Sequence, residues 1–467
     1  MGAATWFLPF HSTTAMAPRR LSGHGLRLAV IVFFLILLAG CANYGTPKNV
    51  AIRDASVADS YSMHDWITKH SDNDIRLILT FSGGGTRAAA LSYGVMQELR
   101  DTQIVEKGKR ISLLDETDYI SSVSGGSFTS AYYGLHGDGI FENFENDFLR
   151  FNLEKHLFWR TVNPFLLFSR QGRTESAIKY YQKTLFHDAV FADMIKQDHP
   201  MVIINASDLG HGIRFSFIQE YFDLLCSELA AYPVADAVAA SSAVPVLFNP
   251  VVLKNYDTCA GMDLIGTANL RQAEDFYASE DLPIVVRQLK SYGEKDKRKY
   301  VHFVDGGITD NLGLRALIDI IAISGNPKNL SKNWRPPKHL VVIAVDAATQ
   351  LETEMDESNK NPSSVKVASA VTKLQLTRYD ADSMLLIRQL LEKWSAKLST
   401  PEQPVATYLV SVDIKAVEDP AALEYLNSIP TSFSLDDEQV DKLIAAGRQL
   451  LRSDPEYQAL LSALGGQ

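Results

Sequence analysis

Short apolar runs alternate with helical segments through the middle of the chain. Residues 75–81, 119–123, 300–304 and 340–345 are rich in the β-branched and large apolar residues that favour buried strands. Helix-compatible stretches, such as residues 88–99 after the first run, separate them. This alternation predicts an α/β sandwich with a largely parallel central sheet.

The chain changes character on both sides of this region. Residues 41–74 are mixed and polar, so we expect a tether and lead-in, with ordered structure beginning at Ile75. Residues 75–350 carry the alternating elements and should form the main domain. Residues 351–467 are mainly helical, with one further strand at 407–412, and we expect them to pack on the same domain.

A glycine-rich turn, Ser82-Gly83-Gly84-Gly85-Thr86-Arg87, follows the first predicted strand. Such a turn before a helix presents free backbone N–H groups at the positive end of the helix dipole, where an anion binds. The spacing Gly83-x-Gly85-x-x-Ala88 also fits a dinucleotide-binding fingerprint. That fingerprint needs an acidic residue after a second strand about 20 positions on. Residues 101–110 are too polar to form that strand.

A second sharp turn lies within residues 118–130. Ser124 comes directly after a β-prone run and precedes Gly125 and Gly126, which is the strand, turn and helix order of a nucleophile elbow. Glycines let the backbone turn sharply, and the strained turn exposes the serine hydroxyl. Ser122 stands where the usual pattern has its first glycine. On this stretch alone, a plain Gly/Ser turn fits as well as a catalytic one.

A third turn, Asp305-Gly306-Gly307, follows the predicted strand at 300–304. All three turns therefore lie at the carboxyl ends of predicted strands, where open α/β sheets bind ligands. Together, Gly-Gly-Gly-x-Arg, Ser-x-Ser-x-Gly and Asp-Gly-Gly resemble the motifs of the patatin-like phospholipase family. The resemblance covers residues 75–346, and Ala-Ser-Ser-Ala-Val-Pro at 240–245 resembles a further block of that family.

The resemblance implies a three-layer α/β/α fold of the patatin type, with residues 75–350 as the catalytic domain. It implies that Ser124 is the nucleophile and Asp305 its base in a Ser-Asp dyad, acting on lipid acyl esters without a metal or cofactor. These roles suit the residue types, because a serine needs a base and the intermediate carries an oxyanion. The oxyanion site would be formed by Gly83, Gly84, Gly85 and Arg87.

A Ser-His-Asp triad is the commoner arrangement on an α/β sheet, and its chain order would place the histidine after Asp305. The only histidine there is His339, which precedes the strand at 340–345 and should lie at the amino edge of the sheet. His302 should lie about 10 Å from Asp305 along its strand. The sequence therefore favours the dyad.

The first 40 residues have the pattern of a secretory signal. Residues 28–37 are continuously apolar, follow three arginines with no acidic residue, and are too short to span a bilayer, which takes about 20 residues. The run closes at Leu-Ala-Gly-Cys41, which resembles the lipobox of bacterial lipoproteins. We therefore expect residues 1–40 to be a lipoprotein signal peptide and Cys41 to carry lipid. The protein would then be anchored in the bacterial cell envelope, on the periplasmic side of the outer membrane. An uncleaved anchor and an ordinary signal peptide are the alternatives.

Net charge and cysteine content bear on nucleic-acid binding and on disulfide formation. The formal net charge of −10 becomes −13 without residues 1–40, and a chain that acidic is a poor candidate for binding nucleic acid. Three cysteines are too few for a disulfide scaffold. Cys226 and Cys259 either pair in an oxidising compartment or are two buried thiols, and the second is slightly favoured.

Two apolar segments have no assigned chemistry. Residues 157–168 are apolar without a clean period and either line an acyl pocket, touch a membrane or belong to the core. A stripe of phenylalanines on one helix face is expected in the core, and it consists of Phe141, Phe144, Phe148 and Phe151.

Three classes of function remain. The first is a lipid acyl hydrolase of the phospholipase A or lysophospholipase type, a serine esterase with a lipid substrate. The second is a lipoprotein that keeps the same fold as a non-catalytic lipid-binding or structural module. The third is a dinucleotide-binding enzyme, which depends on the glycine turn alone.

Overall fold

The structure, a computed structural model, describes residues 45–52, 61–70, 73–151, 173–196, 200–245, 247–259, 282–318, 335–350 and 354–465. These residues belong to one compact unit, Gly45–Gln467. The expected signal peptide at 1–40, Cys41 and the apolar segment at 157–168 lie outside the described residues.

The described strands are numbered in chain order. They are β1 Val50–Ala51, β2 Ile75–Phe81, β3 Gln103–Glu106, β4 Lys109–Ser112, β5 Thr117–Val123, β6 Met201–Asp208, β7 Ile213–Ser216, β8 Ser227–Glu228, β9 Val251–Lys254, β10 Tyr300–Val304, β11 His339–Asp346 and β12 Ala406–Asp413.

Eight strands form one mixed sheet in the order β12-β11-β2-β5-β6-β10-β9, with β7 also paired to β6. The strands from β12 to β6 are parallel, whereas β7, β9 and β10 are antiparallel to their neighbours. Every residue of β2, β5 and β6 is buried, as expected for parallel strands covered by helices on both faces. The predicted three-layer α/β/α class with a mainly parallel sheet is confirmed.

The described α-helices are also numbered in chain order. They are α1 Met63–Lys69, α2 Thr86–Asp101, α3 Gly125–His136, α4 Ile140–Phe144, α5 Arg173–Thr184, α6 Phe191–Ile195, α7 Gln219–Leu224, α8 Val234–Ser241, α9 Leu282–Lys290, α10 Gly307–Asp310, α11 Ser364–Leu398, α12 Pro420–Ser428, α13 Asp437–Ser453 and α14 Pro455–Leu464. Of the phenylalanine stripe, Phe141 and Phe144 lie on α4, Phe148 lies on the π-helical turn 145–149, and Phe151 follows that turn. Phe144 and Phe148 are in the core as expected, and the other two are partly buried against it.

The C-terminal region is built onto the same unit. β12 is an edge strand of the main sheet and pairs with β11 along its whole length. α13 begins at Asp436, whose side chain caps the helix together with Gln439. It packs closely on α2, because a Cβ at Gly94 would lie 2.2 Å from the Ile444 carbonyl oxygen. A Cβ at Gly447 would likewise lie 2.4 Å from the Leu91 carbonyl oxygen.

Regular structure begins before Ile75, which corrects the expectation from sequence. β1 pairs with β8, and the Asn49 amide donates hydrogen bonds to Ser227 Oγ and the Lys254 carbonyl. α1 is capped by Ser62. These polar segments are therefore packed on the main unit, through contacts with residues about 180 positions away that the local pattern does not contain.

Cys226 and Cys259 form a disulfide, with Cα atoms 5.4 Å apart. The slightly favoured expectation of two buried thiols is wrong. The two cysteines are 33 positions apart in sequence, and which of them meet is decided by the tertiary path of the chain.

Candidate active site at the carboxyl edge of the sheet

Ser124 lies at the turn between β5 and α3, where the backbone is strained. Its φ of 49° and ψ of −117° fall in a region that L-residues rarely adopt. The next two residues have no room for a side chain. A Cβ at Gly125 would lie 2.0 Å from the Gly85 carbonyl oxygen, and one at Gly126 would lie 2.6 Å from Phe81 Cβ. The local order of strand, strained serine and glycines is that of an elbow.

Ser122, which replaces the first glycine of the usual pattern, is accommodated without strain. Its hydroxyl accepts a hydrogen bond of 2.6 Å from Ser130 Oγ and donates one of 3.4 Å to the Ile203 carbonyl. This buried hydroxyl therefore joins β5 to α3 and to β6 within the core.

Asp305 accepts a hydrogen bond from the serine. Ser124 Oγ donates to Asp305 Oδ2 over 2.7 Å, and the Gly307 N–H donates to Oδ1 over 2.8 Å. Burial raises the pKa of Asp305 from 3.8 to about 6, while both hydrogen bonds act to lower it. The carboxyl group is therefore ionised at neutral pH, yet basic enough to accept a proton.

These two residues meet because β5 and β10 approach β6 from opposite directions. β5 is parallel to β6, with Val123 opposite Asn205, and β10 is antiparallel to it, with Val304 opposite Ser207. β7 pairs with β6 from Asn205 to Asp208, along one side of that strand. β5 and β10 must therefore both pair with the opposite side of β6, where their ends meet. β10 is thus an antiparallel strand of a mainly parallel sheet, a direction that the sequence did not specify. Asp305 reaches the carboxyl edge of the parallel strands because β10 runs toward that edge from the opposite direction.

Ser241 and Ala243 connect the two halves of this pair. The Ser124 N–H donates to Ser241 Oγ over 2.8 Å, and Ser241 Oγ donates to the Asn205 carbonyl over 2.6 Å. The Asp305 N–H donates to the Ala243 carbonyl over 3.0 Å. The Ala-Ser-Ser-Ala-Val-Pro block therefore holds Ser124 and Asp305 in register. Its resemblance to a family block pointed to this segment, but no local pattern assigned the hydroxyl of Ser241.

The glycine loop lies against the serine, since a Cβ at Gly83 would be 3.4 Å from Ser124 Cβ. The Gly83 N–H is already used, because it donates to the Asn311 carbonyl over 3.1 Å. Within the described ranges, the N–H groups of Gly84 and Gly85 donate to no acceptor. Both residues have the positive φ, 143° and 62°, that favours glycine. Two free donors beside helix N-termini suit a developing negative charge.

Arg87, predicted as part of the oxyanion site, is buried and points elsewhere. Its guanidinium donates to the carbonyls of Ala347 and Ile429 and to Thr431 Oγ1, over 2.9, 2.6 and 2.9 Å. Desolvation lowers the pKa of Arg87 to about 10, and the charge of Asp346 opposes this. Arg87 thus joins the glycine loop to β11 and to the segment after α12.

Asn311 is a site residue that the sequence did not indicate. A Cβ on Gly83 or Gly307 would lie 2.8 or 3.2 Å from Asn311 Oδ1, so its side chain fills the gap between the glycine loop and the Asp305 turn. Its amide donates to Asp380 Oδ2 over 2.9 Å. Burial raises the pKa of Asp380 to about 7. Asn311 and Asp380 are 69 positions apart, so no local spacing could link them.

The two histidines lie on β11 and β10, as their positions in the sequence predict. His339 begins β11 and pairs with Ile75, the first residue of β2, at the amino edge of the sheet. His302 is exposed and lies three residues before Asp305 on β10. Neither ring is positioned to accept the proton of Ser124.

The described ranges contain no group of three or more His, Cys, Asp or Glu side chains that could hold a metal ion. Among the helices described, none combines the length and the apolar character that crossing a bilayer requires.

Segment 103–112 forms a separate hairpin, β3–β4. It therefore supplies no second parallel strand with the acidic residue of a dinucleotide site.

Residues 79–318 match the family model described as patatin-like phospholipase. No curated protein matches the chain. Among solved structures, human GIVD cytosolic phospholipase A2 is similar at 11% identity over 86% of this chain and 65% of that one, with a TM-score of 0.44. Its complex with methyl gamma-linolenyl fluorophosphonate is similar at 12% identity over 84% of this chain and 59% of that one, with a TM-score of 0.39. VipD from Legionella pneumophila is similar at 12% identity over 85% of this chain and 68% of that one, with a TM-score of 0.30. This chain spans less than two thirds of the length of the human structures.

Proposed function

The chain belongs to the patatin-like phospholipase family, and on that basis we propose that it is a lipid acyl hydrolase of the phospholipase A or lysophospholipase type. Ser124 is the nucleophile and Asp305 the base. The observation that carries this proposal is the 2.7 Å hydrogen bond from Ser124 Oγ to Asp305 Oδ2 at a strained elbow. A serine hydroxyl is a weak nucleophile until such a base takes its proton.

In the first half-reaction, Ser124 Oγ attacks the ester carbonyl carbon while its proton moves to Asp305. The carbonyl oxygen becomes an oxyanion beside the Gly84 and Gly85 N–H groups and the N-terminus of α3. When the intermediate collapses, the bond to the alcohol oxygen breaks, and Asp305 returns the proton to that oxygen. The alcohol leaves, and the acyl group remains on Ser124.

In the second half-reaction, Asp305 takes a proton from water as the water attacks the acyl carbon. The oxyanion forms at the same donors, the bond to Ser124 Oγ breaks, and the proton returns to the serine. A free fatty acid is released. A raised pKa of about 6 for Asp305 suits a base that both accepts and returns a proton near neutral pH.

Gly84 and Gly85 are proposed as the oxyanion donors, with Gly83 and Arg87 in supporting roles. The Gly83 N–H and the Arg87 guanidinium already donate to protein acceptors. Their bonds keep the loop in the conformation that leaves the other two N–H groups free. Removing one oxyanion donor typically costs about 2.7–4 kcal/mol of transition-state stabilisation.

We place the protein in the bacterial cell envelope, attached to a membrane by lipid on Cys41. The Leu-Ala-Gly-Cys sequence after an apolar run supports this. The Cys226–Cys259 disulfide also fits an oxidising compartment such as the periplasm.

Hydrolysis of a soluble short-chain ester and of a phospholipid, by wild type and by Ser124→Ala, tests the proposal. The variant should lose both activities and keep its melting temperature within a few degrees. Ser242→Ala is the matched control, because this nearby buried hydroxyl donates only to the Val238 carbonyl of its own helix and should leave turnover near wild type. A fully active Ser124→Ala protein would instead support a nucleophile elsewhere, and a wild-type protein that hydrolyses neither ester would support a non-catalytic fold.

A further inference from the structure

Asn311 follows α10, four residues after Gly307, and its side-chain oxygen lies close to both residues of the dyad. Asn311 Oδ1 is 3.2 Å from the position that a Cβ would take on Gly307, and Asp305 Oδ1 is 3.0 Å from the same position. On Gly83, the corresponding distances are 2.8 Å to Asn311 Oδ1 and 3.4 Å to Ser124 Cβ. Because each pair of distances shares one point, Asn311 Oδ1 lies no more than about 6 Å from Asp305 Oδ1 and from Ser124 Cβ, which is the reach of one bridging water.

Asp380 of α11 determines which end of the Asn311 amide faces the dyad. Asn311 Nδ2 donates to Asp380 Oδ2 over 2.9 Å, and Asp380 is 5% exposed. An ionised carboxylate only accepts hydrogen bonds, so it binds the amide nitrogen and leaves the amide oxygen facing Gly83 and Gly307. None of the described residues donates a hydrogen bond to that oxygen. Asn311 Oδ1 is therefore an acceptor beside the dyad that the protein itself does not use.

An acceptor at this place selects a group that has a hydrogen to donate. The oxyanion of either half-reaction is repelled by Oδ1 and needs N–H donors such as those of Gly84 and Gly85. The reacting atoms of an ester carry no hydrogen to donate. The water of the second half-reaction carries two, and Asp305 takes only one of them. The other hydrogen needs an acceptor, and Asn311 Oδ1 is within reach.

We propose that Asn311 positions the water that releases the acyl group from Ser124, and that Asp380 is a positioning residue that acts through Asn311. The water oxygen attacks the acyl carbon while one proton moves to Asp305. The second hydrogen stays on that oxygen and is held by Asn311 Oδ1. The bond from the acyl carbon to Ser124 Oγ then breaks, Oγ takes the proton from Asp305, and the fatty acid leaves. The inference rests on the proposed function, because it concerns the second half-reaction.

Asn311→Leu tests the role of the amide oxygen. The variant loses both polar atoms but keeps the branched shape of the side chain and the backbone carbonyl that accepts the Gly83 N–H, so acylation of Ser124 should persist. In a reaction through an acyl-enzyme, kcat/KM reports acylation alone, and slow deacylation appears as a burst of the first product. Stopped-flow release of p-nitrophenol from a soluble short-chain ester measures both steps.

The assay is run at pH 8, above the pKa of about 7 to which burial raises Asp380. In Asn311→Leu, the rate constant for deacylation should fall at least about tenfold, because the water is no longer oriented. We expect kcat/KM to stay within about threefold of wild type, a burst close to one p-nitrophenol per enzyme, and acyl-Ser124 detectable by mass spectrometry.

Asp380→Asn tests the positioning role. An amide at this position donates as well as accepts, so it binds either end of the Asn311 amide and no longer keeps Oδ1 toward the dyad. Deacylation should slow by about threefold or more, with kcat/KM preserved. The variant should stay folded, because an ionised carboxyl group with a raised pKa destabilises the fold. The double variant with Asn311→Leu should deacylate no more slowly than Asn311→Leu alone, and additive losses would contradict the link between the two residues.

Asn255→Leu is the matched control. Asn255 is 5% exposed, its amide donates to the Tyr292 and Arg298 carbonyls, and its N–H donates to the Lys299 carbonyl just before β10 begins. This variant should lose stability and leave both rate constants of the folded protein unchanged.

The outcomes separate this inference from the proposed function. In Asn311→Leu, a fall in kcat/KM without a burst would show that Asn311 only supports the glycine loop, and deacylation at the wild-type rate would show that it does not hold the water. Either result would overturn the inference and leave the dyad intact. A wild-type protein that hydrolyses no ester would contradict the proposed function, and this inference with it.

Discussion

Gly85 of the glycine loop and Ser432 of the C-terminal region are in direct backbone contact. A Cβ at Gly85 would lie 2.4 Å from the Ser432 carbonyl oxygen, and that oxygen accepts the Thr86 N–H over 2.8 Å. On its other side, Gly85 touches Gly125 of the elbow. The proposed oxyanion loop is thus held between the nucleophile turn and a segment more than 300 residues further along the chain.

Arg87→Met should therefore lower kcat by about 10- to 100-fold with little change in KM, because it releases the loop without touching substrate. It also leaves the Ala347 and Ile429 carbonyls without a donor, so we expect a loss of about 2–4 kcal/mol in the free energy of unfolding. Steady-state kinetics and denaturant unfolding measure the two effects.

Arg452→Met provides the control for that variant. Arg452 pairs with the buried Glu98, but the Arg452 side chain is 61% exposed and Arg448 also pairs with Glu98, so the substitution should cost about 1 kcal/mol and spare kcat. An Arg87→Met enzyme that loses activity only toward lipids with anionic head groups would show that the arginine contacts substrate.

Asp305→Asn should abolish turnover in a folded protein, because an amide cannot take the proton of Ser124. His302→Ala and His339→Ala should each keep at least a tenth of wild-type kcat, allowing for packing losses. Their positions, exposed on β10 and at the amino edge of the sheet, leave neither ring near Ser124. A loss of several hundred-fold in a stable His339→Ala enzyme would return the chain to the triad class.

The pH dependence follows from the burial of Asp305. Since its pKa is raised to about 6, kcat/KM should be level at neutral pH and fall about tenfold per unit below pH 6 as the base becomes protonated. A profile that stays level down to pH 4.5 would mean that the base is another group.

The same shift predicts the stability of Asp305→Asn. A carboxyl group whose folded pKa lies above its unfolded value of 3.8 destabilises the fold when ionised. This cost is fully present above the folded pKa and disappears as the pH falls toward the unfolded pKa. Asp305→Asn should therefore melt at a higher temperature than wild type at pH 8, and the difference should shrink at pH 5.

Cys41→Ser tests the membrane anchor independently of catalysis. If Cys41 is lipidated, this variant should accumulate as an unprocessed precursor and should not incorporate radiolabelled palmitate in a bacterial host. Cys226→Ala/Cys259→Ala, which removes the disulfide, serves as the control and should still be processed and labelled. Normal maturation of Cys41→Ser would leave an ordinary signal peptide as the explanation.

Strand existence could be predicted from the sequence, because it depends on local apolar content. The run at 75–81 is β2 and the run at 300–304 is β10, with no shift of bounds. The apolar run before Ser124 gave β5 to within two residues. The direction of β10 could not be predicted, since a five-residue apolar run fits a parallel or an antiparallel neighbour equally well.

Side-chain assignments in the site failed where the partners are distant in sequence. Arg87 lies next to the glycines and was grouped with them, but its acceptors are 260 to 344 positions away. The sequence predicts Gly83 as part of the oxyanion site, but its N–H donates to the Asn311 carbonyl. Ser124 and Asp305, 181 positions apart, were assigned only because the family resemblance links them.

Covalent labelling by a fluorophosphonate, followed by peptide mapping, tests whether Ser124 and Asp305 form a catalytic dyad. We expect one labelled residue, Ser124, and a labelling rate at least about 100-fold lower in Asp305→Asn, because the base that activates the hydroxyl is gone. Ser124→Ala should take up no label. A label on any other serine, or an Asp305→Asn protein that labels at the wild-type rate, would contradict the Ser124–Asp305 dyad.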